Sequence, residues 1–259
     1  MAIRALQFAH PGESAPVSTS IATERASVVS RQFKAKDLAI AISGMEKCHR
    51  KANLMTTNIA RYQRIARYYD WLDGPFERKR YQPLRPLLFD GLSGALLDAG
   101  IGTGRNCSFY PPDATVSGID SSPAMLMVAR ERCPALAVSG QLHEMDVTDL
   151  RFPAGSFDAA VASFLFCVLP DHLQVTALRE LRRVVKPGGT IRLMEYVRPR
   201  GMVRRLLSHL WQPWIAWAYG ASFDRRTEQH VPAAGLELVD SRYVADDLIK
   251  LLTLRVADA

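Results

Sequence analysis

Leu96-Leu97-Asp98-Ala99-Gly100-Ile101-Gly102-Thr103-Gly104-Arg105-Asn106 decides the fold of this chain. It reads as an apolar strand, a tight glycine turn and the start of a helix. Three glycines at alternate positions let backbone N–H groups approach a ligand where any Cβ would collide. That geometry suits a nucleotide-like cofactor at the C-terminal end of a parallel strand. The spacing narrows the choice. A dinucleotide fingerprint reads G-x-G-x-x-G, and a phosphate-cradling P-loop needs a Lys after its last glycine. The pattern here is D-x-G-x-G-x-G, with no such Lys. A carboxylate beside the loop repels pyrophosphate and attracts a cation such as an ammonium or a sulfonium. On the loop alone, an ordinary glycine-rich turn stays open as an alternative.

The next segments reinforce the first. Ala114–Asp120 is a short apolar run ending in an acid, and an acid at the end of a second strand can accept hydrogen bonds from both ribose hydroxyls. Ser121-Ser122-Pro123 then opens a helix, with Ser122 as N-cap and Pro123 at the first helical position. A third element spans Leu142–Val147 and carries Asp146. A fourth, Phe157–Ser163, is nearly continuous apolar strand.

In this order the motifs resemble the class I S-adenosylmethionine-dependent methyltransferases. LLDAGIGTGRN is similar to their first motif and GIDSS to their second. MDVTDLRFPAGSFDAAVASFLFCVL is similar to the third and fourth, and LRRVVKPGGTIRLMEY to the later strand–turn segment. The resemblance covers roughly residues 60–200. Its nearest flavour is the methyltransferase type 11 group, with quinone-biosynthesis C-methyltransferases, phospholipid N-methyltransferases and small-thiol methyltransferases. It implies an α/β fold: a Rossmann-like, doubly wound, seven-stranded sheet, mostly parallel with one antiparallel strand, under an N-terminal helical cover.

The resemblance also implies S-adenosyl-L-methionine as cofactor and places it residue by residue. Gly100, Gly102 and Gly104 line its methionine and ribose part, and Asp98 faces its amino group through water or backbone. Asp120, with Ser121 beside it, holds the ribose hydroxyls. Asp146 and the backbone of Val147 meet the adenine edge, with Met145 or Met125 on the ring. Ser163 sits near the methionine moiety, and Tyr69, in the pair Tyr69-Asp70, caps the cofactor from an upstream helix. Each of these residues also has a plain structural alternative as a cap, turn or packing residue. No residue is singled out as a general base. His172, Glu195, Tyr196 and Cys167 are candidates by their position near strand ends, with His209 farther on; capping, packing and a solvated helix face are the alternatives.

Length and composition fit one such domain. The chain has 259 residues, 48% of them apolar, enough for a buried core. Residues 1–54 read as an extension and 55–259 as the methyltransferase domain. The extension holds eight Lys or Arg against four Asp or Glu and no long apolar run, so it is neither a secretory signal nor a membrane span. A disordered tail, a weak targeting arm and a non-native stretch ahead of Met55 all remain open. The extension carries much of the net charge of +7, leaving too little on the domain to argue nucleic-acid binding. The Asn/Asp-Pro-Pro-Tyr/Phe tetrapeptide of the family's nucleic-acid and protein branches is replaced by Ser163-Phe164-Leu165-Phe166. Cys48, Cys107, Cys133 and Cys167 show no CxxC pair, which argues for a reducing compartment and against a zinc site. A cytoplasmic location follows, with peripheral membrane contact as a variant.

Residues 58–69 have helical apolar spacing with arginines opposite. Gly74-Pro75 ends that helix, and a further one, interrupted by Pro83 and Pro86, is expected over Phe76–Asp90. Later, Leu173–Val185 reads as a helix, Lys186–Gly189 as its exit turn and Thr190–Tyr196 as a strand. Leu236–Tyr243 and Leu248–Val256 read as the last two strands. Between them, residues 197–223 form a basic and aromatic insertion. Arg198, Arg200, Arg204 and Arg205 precede Trp211, Trp214 and Trp217, which recur every third residue along one drifting helical face. Packing on the sheet, a lid over an apolar substrate and docking on a membrane surface through Arg198–Trp217 are the three readings. The function expected is methyl transfer to a small, largely apolar acceptor: a lipid headgroup, a quinol or a thiol. The alternative is a catalytically silent cofactor-binding protein that acts through a protein partner.

Overall fold

The computed structural model describes residues 77–199, 201–202 and 225–258. Tyr69, His209, the extension over 1–54 and the tryptophan segment lie outside the described residues.

Prolines break up the first stretch. The single helix expected over Phe76–Asp90 is instead a π-helical turn, Glu77–Tyr81, a 3-10 turn, Gln82–Leu84, and one turn of α-helix, α1 (Pro86–Phe89). Pro83 and Pro86 each sit at the start of a new turn, where the missing N–H costs nothing. The elements then alternate: β1 (Ala95–Ala99), β2 (Thr115–Asp120), α2 (Pro123–Arg132), α3 (Pro134–Val138), β3 (Leu142–Glu144), β4 (Phe157–Ser163), α4 (Asp171–Val184), β5 (Val185–Tyr196), α5 (Thr227–His230), β6 (Leu236–Ala245) and β7 (Ile249–Val256).

The seven strands form one sheet in the order β3-β2-β1-β4-β5-β7-β6. All neighbours are parallel except β5–β7 and β6–β7, so β7 alone runs against the rest. This is the sheet expected. The chain leaves β1 toward β2 on one side and reaches β4 on the other. The C-terminal ends of β1 and β4 therefore flank the topological switch point, where an open α/β sheet leaves a crevice for a ligand.

Two differences in boundary have local causes. The third element is strand only over Leu142–Glu144, because Asp146 closes a turn by accepting the backbone N–H and hydroxyl of Thr148 at 2.8 and 2.9 Å. The exit turn Lys186–Gly189 is absorbed into β5 as an irregularity, the register slipping between Phe157 and Ala159. A Cβ on Gly189 would lie 2.7 Å from the Asp158 carbonyl, so the bulge depends on glycine there.

Apolar side chains close both faces. Leu88, Leu96, Val161, Met194 and Leu251 belong to one cluster, and Ile101, Leu126, Ala129 and Leu142 to another. Helix α4 buries Leu173, Ala177, Leu181 and Val184 on one stripe, which is the 3.6-residue period of an amphipathic helix.

The cysteines depart from expectation. Cys107 and Cys133, 26 residues apart, form a disulfide, a pairing that the sequence spacing did not indicate. The bond ties the turn after the glycine loop to the end of α2, and no spacing rule reveals a pair brought together by βαβ packing. Closing a loop of that length removes about 3.5 kcal/mol of chain entropy from the unfolded state. Reduction should therefore lower the melting temperature by on the order of 10 °C. Thermal unfolding with and without a phosphine reductant, with Cys133→Ser as the non-reducible control, measures it. Identical melting curves in all three would contradict the linkage.

Candidate functional site

The loop after β1 is drawn tight against β2. The amides of Gly100 and Ile101 both donate to the Ile119 carbonyl at 2.9 Å. Gly100 and Gly104 have φ of +73° and +78°, and each is also enclosed by protein. A Cβ on Gly100 would lie 2.9 Å from the Leu165 side chain, and one on Gly104 would lie 2.5 Å from the Cys133 sulfur. Gly102 differs. Among the described residues a Cβ there would meet nothing nearer than the Gly100 carbonyl oxygen at 4.0 Å. Of the three glycines, the middle one is the part of the loop that the described residues leave open to a ligand.

Asp120 closes one side of that space. Its Oδ2 accepts the Gly102 amide at 2.9 Å and its Oδ1 the Ser122 amide at 2.8 Å. Burial pushes its pKa up to about 6, against the lowering effect of the Ser122 and Gly102 amides. Ser122 caps α2, its Oγ accepting from the Met125 amide at 3.4 Å. The Met145 amide donates to the Asp120 carbonyl at 3.1 Å, which sets the end of β3 beside the end of β2. Gly100, Gly102, Asp120, Ser121, Met145 and Asp146 thus gather along one rim, at the ends of β1, β2 and β3. Met125 and Val147 are buried beneath it, and Gly104 serves as the contact with the disulfide.

Asp98 is turned inward. It is fully buried, accepting from the Tyr110 hydroxyl at 2.6 Å and from Asn106 Nδ2 at 3.0 and 3.2 Å. Burial raises its pKa, while the Tyr110 and Asn106 hydrogen bonds oppose the rise. Asn106 Nδ2 also donates to Ser163 Oγ at 3.1 Å, and Asn106 Oδ1 accepts from Arg85 Nη1 at 2.6 Å. Arg85, itself buried, forms a two-pronged ion pair with Glu77 at 2.6 and 2.9 Å, and Glu77 reaches on to Arg105 at 2.8 Å. A connected polar network therefore runs under the loop from β1 to β4. Sequence reasoning missed Glu77, Arg85 and Tyr110 entirely. Asn106 stood inside the decisive stretch, but nothing in the spacing marked its partners.

The four catalytic candidates resolve differently. Glu195 is buried, and its carboxylate is filled: Oε1 accepts the Leu165 and Phe166 amides at 3.1 and 2.9 Å, and Oε2 the Cys167 amide at 2.9 Å. Cys167 is buried, and burial together with the nearby Glu195 pushes its thiol well above the ordinary range, the opposite of an activated nucleophile. His172 is exposed in the first turn of α4. Tyr196 joins a ring cluster, with centroids 4.9 Å from Phe164 and 6.0 Å from Tyr81; Tyr81 and Phe164 are 5.4 Å apart. Glu195 and Cys167 are both buried in the scaffold that carries the turn after β4. The rings of Phe164, Tyr196 and Tyr81 form a half-buried aromatic wall at the ends of β4 and β5.

Residues 96–189 match the family model described as a methyltransferase domain. The chain is 35% identical over 105 residues to a phosphatidylethanolamine N-methyltransferase of Cereibacter sphaeroides, covering 40% of this chain and 51% of that one. It is 33% identical over 135 residues to a demethylmenaquinone methyltransferase of Thermus thermophilus, covering 49% and 60%. The chain thus spans about half to three fifths of the length of these curated relatives. Among solved structures, a geranyl diphosphate C-methyltransferase from Streptomyces coelicolor aligns with a TM-score of 0.57 at 14% identity, covering 70% of this chain and 80% of that one. An O-methyltransferase family protein from Burkholderia thailandensis aligns at 0.58 with 18% identity, covering 71% and 58%. The structural matches share the fold, and the family model spans the stretch from β1 into β5 that includes the switch point. By domain, fold and relatives together, the chain belongs to the class I S-adenosylmethionine-dependent methyltransferases.

Proposed function

We propose that this protein transfers a methyl group from S-adenosylmethionine to a small, largely apolar acceptor. The observation that carries the reading is the open space over Gly102. The Asp120 carboxylate bounds it on one side, and the turn that bears the aromatic wall meets it on the other, where Leu165 packs on Gly100. The donor set fits the cofactor. A carboxylate with oxygens turned to a rim suits a pair of ribose hydroxyls, glycine backbone suits close approach, and the Asp146 turn suits an amino edge.

When bound, the cofactor supplies a methyl group made electrophilic by a sulfonium. The residues of this chain align donor and acceptor and exclude water. Asp120 orients the ribose, and the amides of the loop set the depth of the methionine end. Phe164, Tyr196 and Tyr81 give the acceptor an apolar surface beside it. Glu195 spends its oxygens on three backbone amides and the buried Cys167 thiol keeps its own proton, so neither is placed against an acceptor as its base, which favours an acceptor atom that needs little deprotonation, such as an amine or an already ionised quinol or thiol. The relatives named for phosphatidylethanolamine and demethylmenaquinone support the lipid and quinol classes. Among the described residues no helix is long and apolar enough to cross a membrane.

The test is a panel of phosphatidylethanolamine vesicles, a reduced demethylated naphthoquinone and a small thiol. Each is incubated with isotope-labelled methyl donor and read by mass spectrometry. Label in one acceptor class is the expected result. Cofactor binding without label in any class would instead favour the silent cofactor-binding protein.

A further inference from the structure

The turn after β4 is held in an unusual shape. Phe164 has a φ of +57°, a left-handed conformation that a bulky side chain adopts only when its surroundings impose it. Its own amide donates to the Met194 carbonyl at 2.8 Å, and the next three amides, of Leu165, Phe166 and Cys167, all converge on Glu195. The Phe166 carbonyl is taken by the side-chain amide of Gln174 on α4 at 3.1 Å. The turn so gathered presents two side chains to the site: Leu165 against Gly100 of the loop, and Phe164 in the aromatic wall.

Resting on the function proposed above, we propose that Glu195 is a positioning residue for acceptor binding. By collecting three successive amides, its carboxylate fixes the Phe164 ring in the wall that receives a planar apolar acceptor. A carboxylate accepts at both oxygens, whereas a carboxylic acid must present an O–H to amides that are themselves donors. The wall is therefore ordered while Glu195 is ionised and loosens when it is protonated.

That change falls within a testable range. Burial lifts the Glu195 pKa to about 7, opposed by the three amides. Few other charges act on it. The Cys167 thiol stays neutral because burial and Glu195 hold its pKa high. Lys250 stands opposite Glu195 in the β5–β7 register, and its ammonium is engaged by Glu228 at 2.6 Å. Ionised Glu195 is then the form above pH 7, and the wall should lose its shape as pH falls through that value.

The experiment uses the full chain saturated with S-adenosylhomocysteine, with dimethylnaphthoquinone as a planar apolar probe whose blocked ring carbons neither add thiols nor accept a methyl group. Probe affinity and, separately, S-adenosylhomocysteine affinity are measured at pH 8 and pH 6. For the wild type, probe affinity should fall about tenfold between those values, following the ionised fraction of one group near pH 7. Glu195→Gln should bind the probe weakly and equally at both, with S-adenosylhomocysteine affinity at pH 8 within about threefold of wild type. Glu195→Asp should restore part of the pH dependence. A wild-type probe affinity that is absent or flat with pH overturns the proposal even if the variants do not fold. So does a Glu195→Gln protein that keeps the wild-type profile. Failure of S-adenosylhomocysteine to bind the wild type would instead remove the methyltransferase reading itself.

Discussion

Asp120→Ala should abolish measurable cofactor binding while leaving a folded protein. Two charge-assisted hydrogen bonds to ribose hydroxyls contribute about 1.5–3 kcal/mol each, so their loss weakens binding by on the order of 10²–10⁴-fold. The same substitution releases the Gly102 and Ser122 amides, which Asp120 now holds at 2.9 and 2.8 Å, so the loop loses its fixed depth as well. Asp120→Asn keeps an acceptor but not the charge and should fall between. Wild-type affinity should also carry the signature of this carboxyl. Its pKa in the free protein is about 6, and hydroxyl donors favour the ionised form. Affinity is therefore fully present above that value and falls toward tenfold per pH unit below it. Calorimetry with S-adenosylhomocysteine from pH 8 to pH 5 measures both effects. Wild-type affinity in Asp120→Ala, or an affinity unchanged between pH 7 and pH 5, would remove Asp120 from the site.

Asp120 could be read from the sequence because its signal is local. An apolar run, an acid and then Ser-Ser-Pro is a strand, its end and a helix start within a few residues. The same holds for β4, whose bounds at Phe157 and Ser163 are those expected, and for the last two strands on either side of Asp246-Asp247. Their turn chemistry and periodicity lie in a short window. Glu195 shows the limit. From the sequence it is an acid at a strand end, the place where a base would stand. Its three partners lie 28 to 30 residues earlier, and only the parallel pairing of β4 with β5 brings them to it. The Cys107–Cys133 bond is hidden for the same reason. Gly104 was legible as a glycine that something must approach closely, but the sulfur of Cys133 fills that space rather than a ligand.

Arg85→Met should produce the largest loss of stability among single changes beneath the site, and Arg85 had no sequence signal at all. The guanidinium is 4% exposed. It neutralises Glu77 through two nitrogens and donates to Asn106, which in turn spans both oxygens of Asp98. Removing one member of a buried ion pair costs about 3–5 kcal/mol, mostly because the other charge is left uncompensated. At about 2–4 °C per kcal/mol for a domain of this size, the melting temperature should fall by roughly 6–20 °C. Asp98 would lose the positive charge that now opposes the rise in its pKa, and Asn106 would lose the partner that orients it toward Ser163. Cofactor affinity should therefore drop with stability, although Arg85 need not touch the cofactor. The double substitution Arg85→Met, Glu77→Leu separates the causes. If the cost comes from a stranded carboxylate, removing both partners recovers stability relative to the single change. Recovery should be incomplete, since Glu77 also pairs with Arg105 at 2.8 Å. A double variant no more stable than Arg85→Met would show that the guanidinium acts through Asn106 and the loop, and that the ion pair with Glu77 adds little.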